Sequence, residues 1–211
     1  MPAHSFLQRY IGLLKAALFA VCLLPLVRLL VLGFTDGLGA NPIEFVTRST
    51  GTWTLTFLLV TLSITPLRQL LNQPALIRLR RMFGLFAFFY ASLHFTTYIW
   101  LDQFFELPEI AKDIVKRPFI TVGFLAFVLL IPLAATSNNK VIKRMGAQRW
   151  RRLHRLVYVV GILGVVHYWW LVKKDLTQPI IYASILTILL AYRVVAARRS
   201  RVLTAAPLKR D

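Results

Sequence analysis

Three of the chain's four histidines, His94, His154 and His167, lie inside long apolar segments. An imidazole is costly in hydrocarbon, so an ionisable residue kept there marks a functional site by default. Neutral imidazole offers one acceptor nitrogen, and two such rings on facing helices are the usual axial ligands of haem iron in a helical bundle. The three histidines therefore point to a membrane cytochrome of the b type. Plain hydrogen bonding between helices is the competing role, and it weighs most for His154. His4 lies in a polar N-terminal stretch and is expected to be solvated.

The elements that position these rings follow from composition. With 57% apolar residues in 211, the chain has too little polar surface for a soluble globule. The net charge of +18 does not indicate nucleic acid, because the basic residues punctuate apolar stretches instead of clustering on a polar domain. A bilayer core of about 30 Å takes about 20 helical residues. On that scale the chain reads as an all-α integral membrane protein. Its six transmembrane helices are expected over 11–34, 53–67, 82–101, 118–135, 153–172 and 180–197. Residues 1–10 and 198–211 then form an N-terminal and a basic C-terminal tail. No small-residue cleavage site follows the first apolar run, so that segment is expected to be retained. Pro25, Pro66 and Pro132 fall within spans or at their ends, where neighbouring helices can satisfy the freed carbonyls. No internal repeat is visible.

Charge sets the orientation. The joins after spans two and four carry Arg68, Arg78, Arg80 and Arg81, and Lys140, Lys143, Arg144, Arg149, Arg151 and Arg152. The C-terminal tail adds Arg198, Arg199, Arg201, Lys209 and Arg210. Seven of the eight acids (Asp36, Glu44, Asp102, Glu106, Glu109, Asp113 and Asp175) fall in the opposite joins. Short loops rich in lysine and arginine stay cytoplasmic, so both termini are expected inside and odd-numbered spans run outward. Trp53, Trp100, Trp169 and Trp170 then fall near the outer interface, as an aromatic belt would.

At 1.5 Å per residue, His94 stands about 18 Å above the inner end of span three and His167 about 21 Å above that of span five. The matching depth makes them the expected ligand pair of one haem b in the outer half of the membrane. His154 lies about 19.5 Å below His167 along the same helix and about 140° around it. It is a candidate for an inner haem or a flavin-side site, giving one haem or two. No histidine stands at its depth on span three, so an inner site has at most one histidine ligand.

Arg78, Arg80, Arg81, Arg151 and Arg152 read first as topology determinants and lipid-headgroup contacts. Their sharper role is to pair with haem propionates or a flavin phosphate, since the guanidinium fork suits such anions. Arg28, deep in span one, needs a route to the interface or an anionic group. The lone cysteine, Cys22, reads as a small buried apolar side chain and cannot form an internal disulfide. No catalytic residue is expected. No G-x-G-x-x-G turn or P-loop marks a nucleotide domain, so electrons must come from a partner and leave to one.

Six stretches carry a family likeness. They are Ile64-Thr-Pro-Leu-Arg68, Gln73-Pro-Ala-Leu-Ile-Arg-Leu-Arg-Arg81, Leu93-His94, Arg117-Pro-Phe-Ile-Thr-Val-Gly123, Arg149-Trp-Arg-Arg-Leu-His-Arg-Leu-Val-Tyr158 and His167-Tyr168. In these the chain resembles the ferric-reductase-like transmembrane family, to which NADPH oxidase membrane domains also belong. The likeness covers nearly the whole chain, in order and with matching loop lengths. The oxidases place two histidines on each of spans three and five, so the resemblance implies the outer haem and leaves the inner site open. Within the family the chain is most similar to the haem-binding membrane subunits that serve periplasmic methionine sulfoxide reductases. That likeness implies a bacterial inner membrane location, haem b and FMN. It also implies quinone or a cytosolic flavin reductase as donor, and a periplasmic molybdopterin catalytic subunit as acceptor. The chain itself would be the electron-transfer subunit, with sulfoxide chemistry in the partner. Two rivals stand beside this reading: a b-type anchor of another dehydrogenase or ferric reductase, and a small proton-coupled transporter. A transporter's relay would favour acids inside spans, and none of the eight lies in a span core.

Overall fold

A computed structural model describes residues 3–205, with side chains over 8–199. The side chains of His4 and Arg201, and all of Lys209 and Arg210, lie outside the described residues. The helices are α1 (Ala3–Phe34), α2 (Pro42–Leu70), α3 (Ile77–Thr97), α4 (Leu107–Lys116), α5 (Pro118–Ala135), α6 (Asn139–Met145), α7 (Ala147–Leu153), α8 (Leu156–Leu171) and α9 (Thr177–Ala205). No strand occurs among the described residues.

Among the described residues, five segments are long and apolar enough to cross a membrane: Gln8–Phe34, Pro42–Leu70, Pro74–Asp102, Pro118–Ala135 and Thr177–Arg199. The fourth coincides with its expected range. The second is far longer than expected at its N-terminal end. There Asn41 caps the helix by accepting from the Glu44 amide at 3.2 Å, Pro42 opens the first turn, and Glu44 pairs with Arg48 one turn on at 2.7 Å. These polar residues lower the hydropathy of 42–52 while stabilising helix.

The segment expected over 153–172 divides. His154 and Arg155 form a tightened step in which Arg155 and Tyr158 bond three residues back, to the carbonyls of Arg152 and Arg155. Above it α8 runs for 16 residues, about 24 Å.

Helix α2 lies along α3, and α5 along α8, while α9 packs on α8 and α2. Their seam buries Leu62, Ala87, Tyr90 and Val160 almost completely. Phe57 sits among the rings of Phe83, Phe86 and Tyr90. Helix α1, mostly exposed, rests on the outside of this bundle.

Two prolines are answered by side chains from other helices. Proline lacks an N–H and opens the helix around it. Beside Pro25 the Tyr90 hydroxyl enters the ladder of α1, donating to the Cys22 carbonyl at 2.8 Å and accepting from the Leu26 amide at 3.2 Å. Pro66 leaves the Leu62 carbonyl without its usual partner, and Arg193 of α9 donates to it at 2.6 Å. The same guanidinium lies 5.1 Å over the Tyr158 ring. Arg28 is exposed and lies 5.6 Å over the Phe45 ring. Cys22 is a buried free thiol, as expected.

Candidate functional site

His94 on α3 and His167 on α8 face each other, with ring centres 6.2 Å apart and planes inclined at 74°. The Nδ1 of His94 is 2.9 Å from the Thr47 carbonyl oxygen, and the Nδ1 of His167 is 2.7 Å from that of Phe119. A carbonyl only accepts, so each Nδ1 carries the proton and donates it. The remaining nitrogen of each ring, Nε2, keeps its lone pair.

Each ring reaches its carbonyl through a notch. Thr47 and Gly51 lie one turn apart on α2, and Phe119 and Gly123 lie one turn apart on α5. A Cβ at Gly51 would stand 3.0 Å from His94 Cε1, and one at Gly123 only 2.7 Å from His167 Nδ1. Only glycine leaves room for the imidazole to lie against the helix and meet the carbonyl beneath. The same device thus occurs twice, with His94 against α2 and His167 against α5. That is a structural repeat which the residues alone did not reveal.

The rings line a cavity of about 380 Å³ between the two helix pairs, walled largely by apolar side chains such as Leu55, Leu58, Leu130 and Val160. The distance between rings tests whether a metal fits. A metal–imidazole bond of about 2 Å on each side, with roughly 1 Å more from nitrogen to ring centre, gives about 6 Å between centres. The observed 6.2 Å fits a metal held between two Nε2 atoms, and the apolar walls fit a porphyrin.

Arg48 and Arg117 are the only lysines or arginines lining this cavity among the described residues. They stand at its mouth beside Asp102 and Tyr98. There α3 ends in a π-helical turn, Tyr98–Asp102, followed by Phe104 and Phe105 with φ of 46° and 61°. Two successive aromatic residues in the left-handed region are strained, a condition that collects at functional sites. The turn brings Gln103 within 3.3 Å of the Asp113 carboxylate, which also pairs with Arg117 at 3.3 Å.

The structure brings His94 and His167 together and leaves His154 apart. His154 sits in the step between α7 and α8, its Nε2 3.1 Å from Thr136 Oγ1 and its ring stacked 4.0 Å from Trp150. The Thr136 hydroxyl donates to the Pro132 carbonyl at 2.6 Å, so it accepts from His154. Burial, with the Arg80 guanidinium nearby, pushes the His154 imidazole down to about 4, so the ring is neutral at physiological pH. No second histidine faces it among the described side chains.

Arg78, Arg80, Arg81, Arg151 and Arg152 do not line the cavity. Arg80 lies 14 residues before His94, about 21 Å down α3. Arg81 donates to Asn139 at 2.7 Å. The residues that sequence reasoning missed are Thr47, Gly51, Arg48 and the Phe119 carbonyl. Gly123 lay within a recognised stretch, but no role was assigned to it.

The family described as ferric reductase like transmembrane component matches residues 49–165. The chain is 61% identical over 191 residues, 90% of its length, to the protein-methionine-sulfoxide reductase heme-binding subunit MsrQ of Herminiimonas arsenicoxydans, 88% of which is covered. It is 54% identical over 203 residues to the MsrQ of Bordetella pertussis, covering 95% of this chain and 98% of that one. Against the MsrQ of Ralstonia nicotianae it is 55% identical over 182 residues, 85% and 84% of the two lengths.

Proposed function

Because the chain belongs to the ferric-reductase-like transmembrane family and, within it, to the MsrQ group, we propose that it is a membrane cytochrome b carrying electrons outward to a periplasmic, molybdenum-containing methionine sulfoxide reductase. The relatives' names describe a heme-binding subunit of a protein-methionine-sulfoxide reductase. The observation that most supports this reading is the pair of imidazoles whose Nδ1–H groups donate to the main-chain carbonyls of Thr47 and Phe119.

In this reading His94 and His167 would hold the iron of one haem b through their Nε2 atoms. Haem supplies a one-electron carrier whose potential follows its ligands and burial. The two carbonyls fix the tautomer and raise the basicity of each ring, as partners behind a metal-bound histidine do. Leu55, Leu58, Leu130 and Val160 keep water from the site. Arg48 and Arg117 are the cations available to the carboxylates of the haem.

The reading places the protein in the inner membrane of a bacterium, with six spans, α8 as the fifth, and both termini cytoplasmic. Quinone or a cytosolic flavin reductase delivers electrons at the inner side. Arg78, Arg80, Arg151 and Arg152 there offer charge for the phosphate of FMN, the flavin that the family likeness implies. His154 serves either an inner haem or the flavin side.

An optical spectrum of the detergent-purified protein, oxidised and dithionite-reduced, with haem counted per chain, tests the reading. A b-type spectrum near one haem supports the outer site alone. A count near two assigns His154 to a second haem, and a chain expressed with ample haem that still holds none overturns the proposal.

A further inference from the structure

A second hollow, about 400 Å³, runs between α1 and α3 on the outside of the bundle. Lys15, Phe19 and Leu23 of α1 line one wall, and Arg81, Leu85 and Phe89 of α3 line the other. Each set is spaced four residues apart and so occupies one face of its helix. The two helices climb in parallel. The Phe19 and Phe86 rings meet at 5.1 Å, and about one turn higher the Tyr90 hydroxyl holds the Cys22 carbonyl. Both cations therefore mark the same end of the hollow, and the apolar residues continue above them for about 12 Å.

No carboxylate offsets these charges. Seven of the chain's eight acids lie in the joins at the opposite end of the helices, and Asp211 lies outside the described residues. Lys15 makes no ion pair among the described residues. The hydrogen bond of Arg81 goes to the neutral amide of Asn139 and occupies one nitrogen of the fork. Two uncompensated cations at the foot of an apolar groove match an amphiphile with an anionic head and a hydrocarbon tail. Basic pockets between membrane helices bind such lipids.

We propose that this groove binds an anionic phospholipid of the surrounding bilayer, its phosphate between Lys15 and Arg81 and one acyl chain along Phe19, Leu23, Leu85 and Phe89. The lipid fills the gap beneath the loosely packed α1. This site is separate from the histidine cavity and does not depend on the haem reading.

The test is lipid retention by the full-length purified protein, counted by native mass spectrometry after adding phosphatidylglycerol or phosphatidylcholine with identical chains. Phosphatidylglycerol should be retained about tenfold more strongly, and the Lys15→Gln/Arg81→Gln variant should fall to the phosphatidylcholine level. Lys15→Arg keeps the charge and should retain the lipid, as should Arg149→Gln, which removes an exposed inner-side charge outside the groove. Leu85→Trp should block both lipids by filling the hollow. Equal retention of the two lipids by the native chain overturns the site, as does undiminished phosphatidylglycerol in a double variant of unchanged elution and helicity. Equal loss in Arg149→Gln would also overturn it, by reducing the effect to general surface charge.

Discussion

The imidazoles of His94 and His167 stand 6.2 Å apart, and each is anchored by a main-chain carbonyl of the helix behind it. Because the anchors are backbone atoms, the tautomer does not depend on any neighbouring side chain's protonation. Nδ1 of each ring is thereby the hydrogen-bond donor, and Nε2 is the nitrogen left for a ligand.

Replacing either ring by alanine removes one of the two nitrogens facing the cavity. His94→Ala and His167→Ala should each bring haem per chain to near zero while helicity stays unchanged. His154→Ala should leave the main b-type component in place and alter only a second component of a redox titration. Undiminished haem in both outer variants refutes the pairing.

The glycine notches should be unequal. Gly123→Ala places a methyl 2.7 Å from His167 Nδ1, against 3.0 Å from His94 Cε1 for Gly51→Ala. The rings are held by hydrogen bonds and cannot swing aside freely. Haem affinity should fall about 10–100-fold in Gly123→Ala and less in Gly51→Ala, measured by transfer to apomyoglobin.

Tyr90→Phe removes the hydroxyl bridging the buried Cys22 carbonyl and the part-buried Leu26 amide. It should cost about 1–3 kcal/mol, seen as a lower thermal midpoint in detergent. Pro25→Ala lets α1 close its own ladder, so the double variant should recover much of the loss. Additive losses would show that the bridge and the proline are unrelated.

Arg193→Met should likewise expose the Leu62 carbonyl left by Pro66, at a cost of about 1–3 kcal/mol. Pro66→Ala supplies the missing amide and should make the Arg193 substitution milder. A double-mutant cycle with no coupling would deny the pairing.

Some of this was legible in the residues. Helical rise is fixed, so counting from the span ends put His94 and His167 at one depth, and the structure brings their rings together. The second helix was less legible. Asn41, Glu44 and Arg48 stabilise its first turns yet depress their hydropathy, which hid Thr47 and Gly51, the residues that seat His94. The tightened step at His154 and Arg155 carries no proline or glycine to announce it, so the turning of that ring toward Thr136 could not be read. Nor could charge alone tell which arginines meet a cavity. Charge reports the end of a helix, and Arg48 and Arg117 reach the mouth through helix register and the π-helical turn.

The doubled notch also bears on how such a protein comes together. One hairpin, α2 with α3, holds half of the site, and the other, α5 with α8, holds its counterpart. Neither half has anything to grip until both have docked. A group captured between the rings acts as a rivet, and its presence reports that the two halves of the chain have found each other in register.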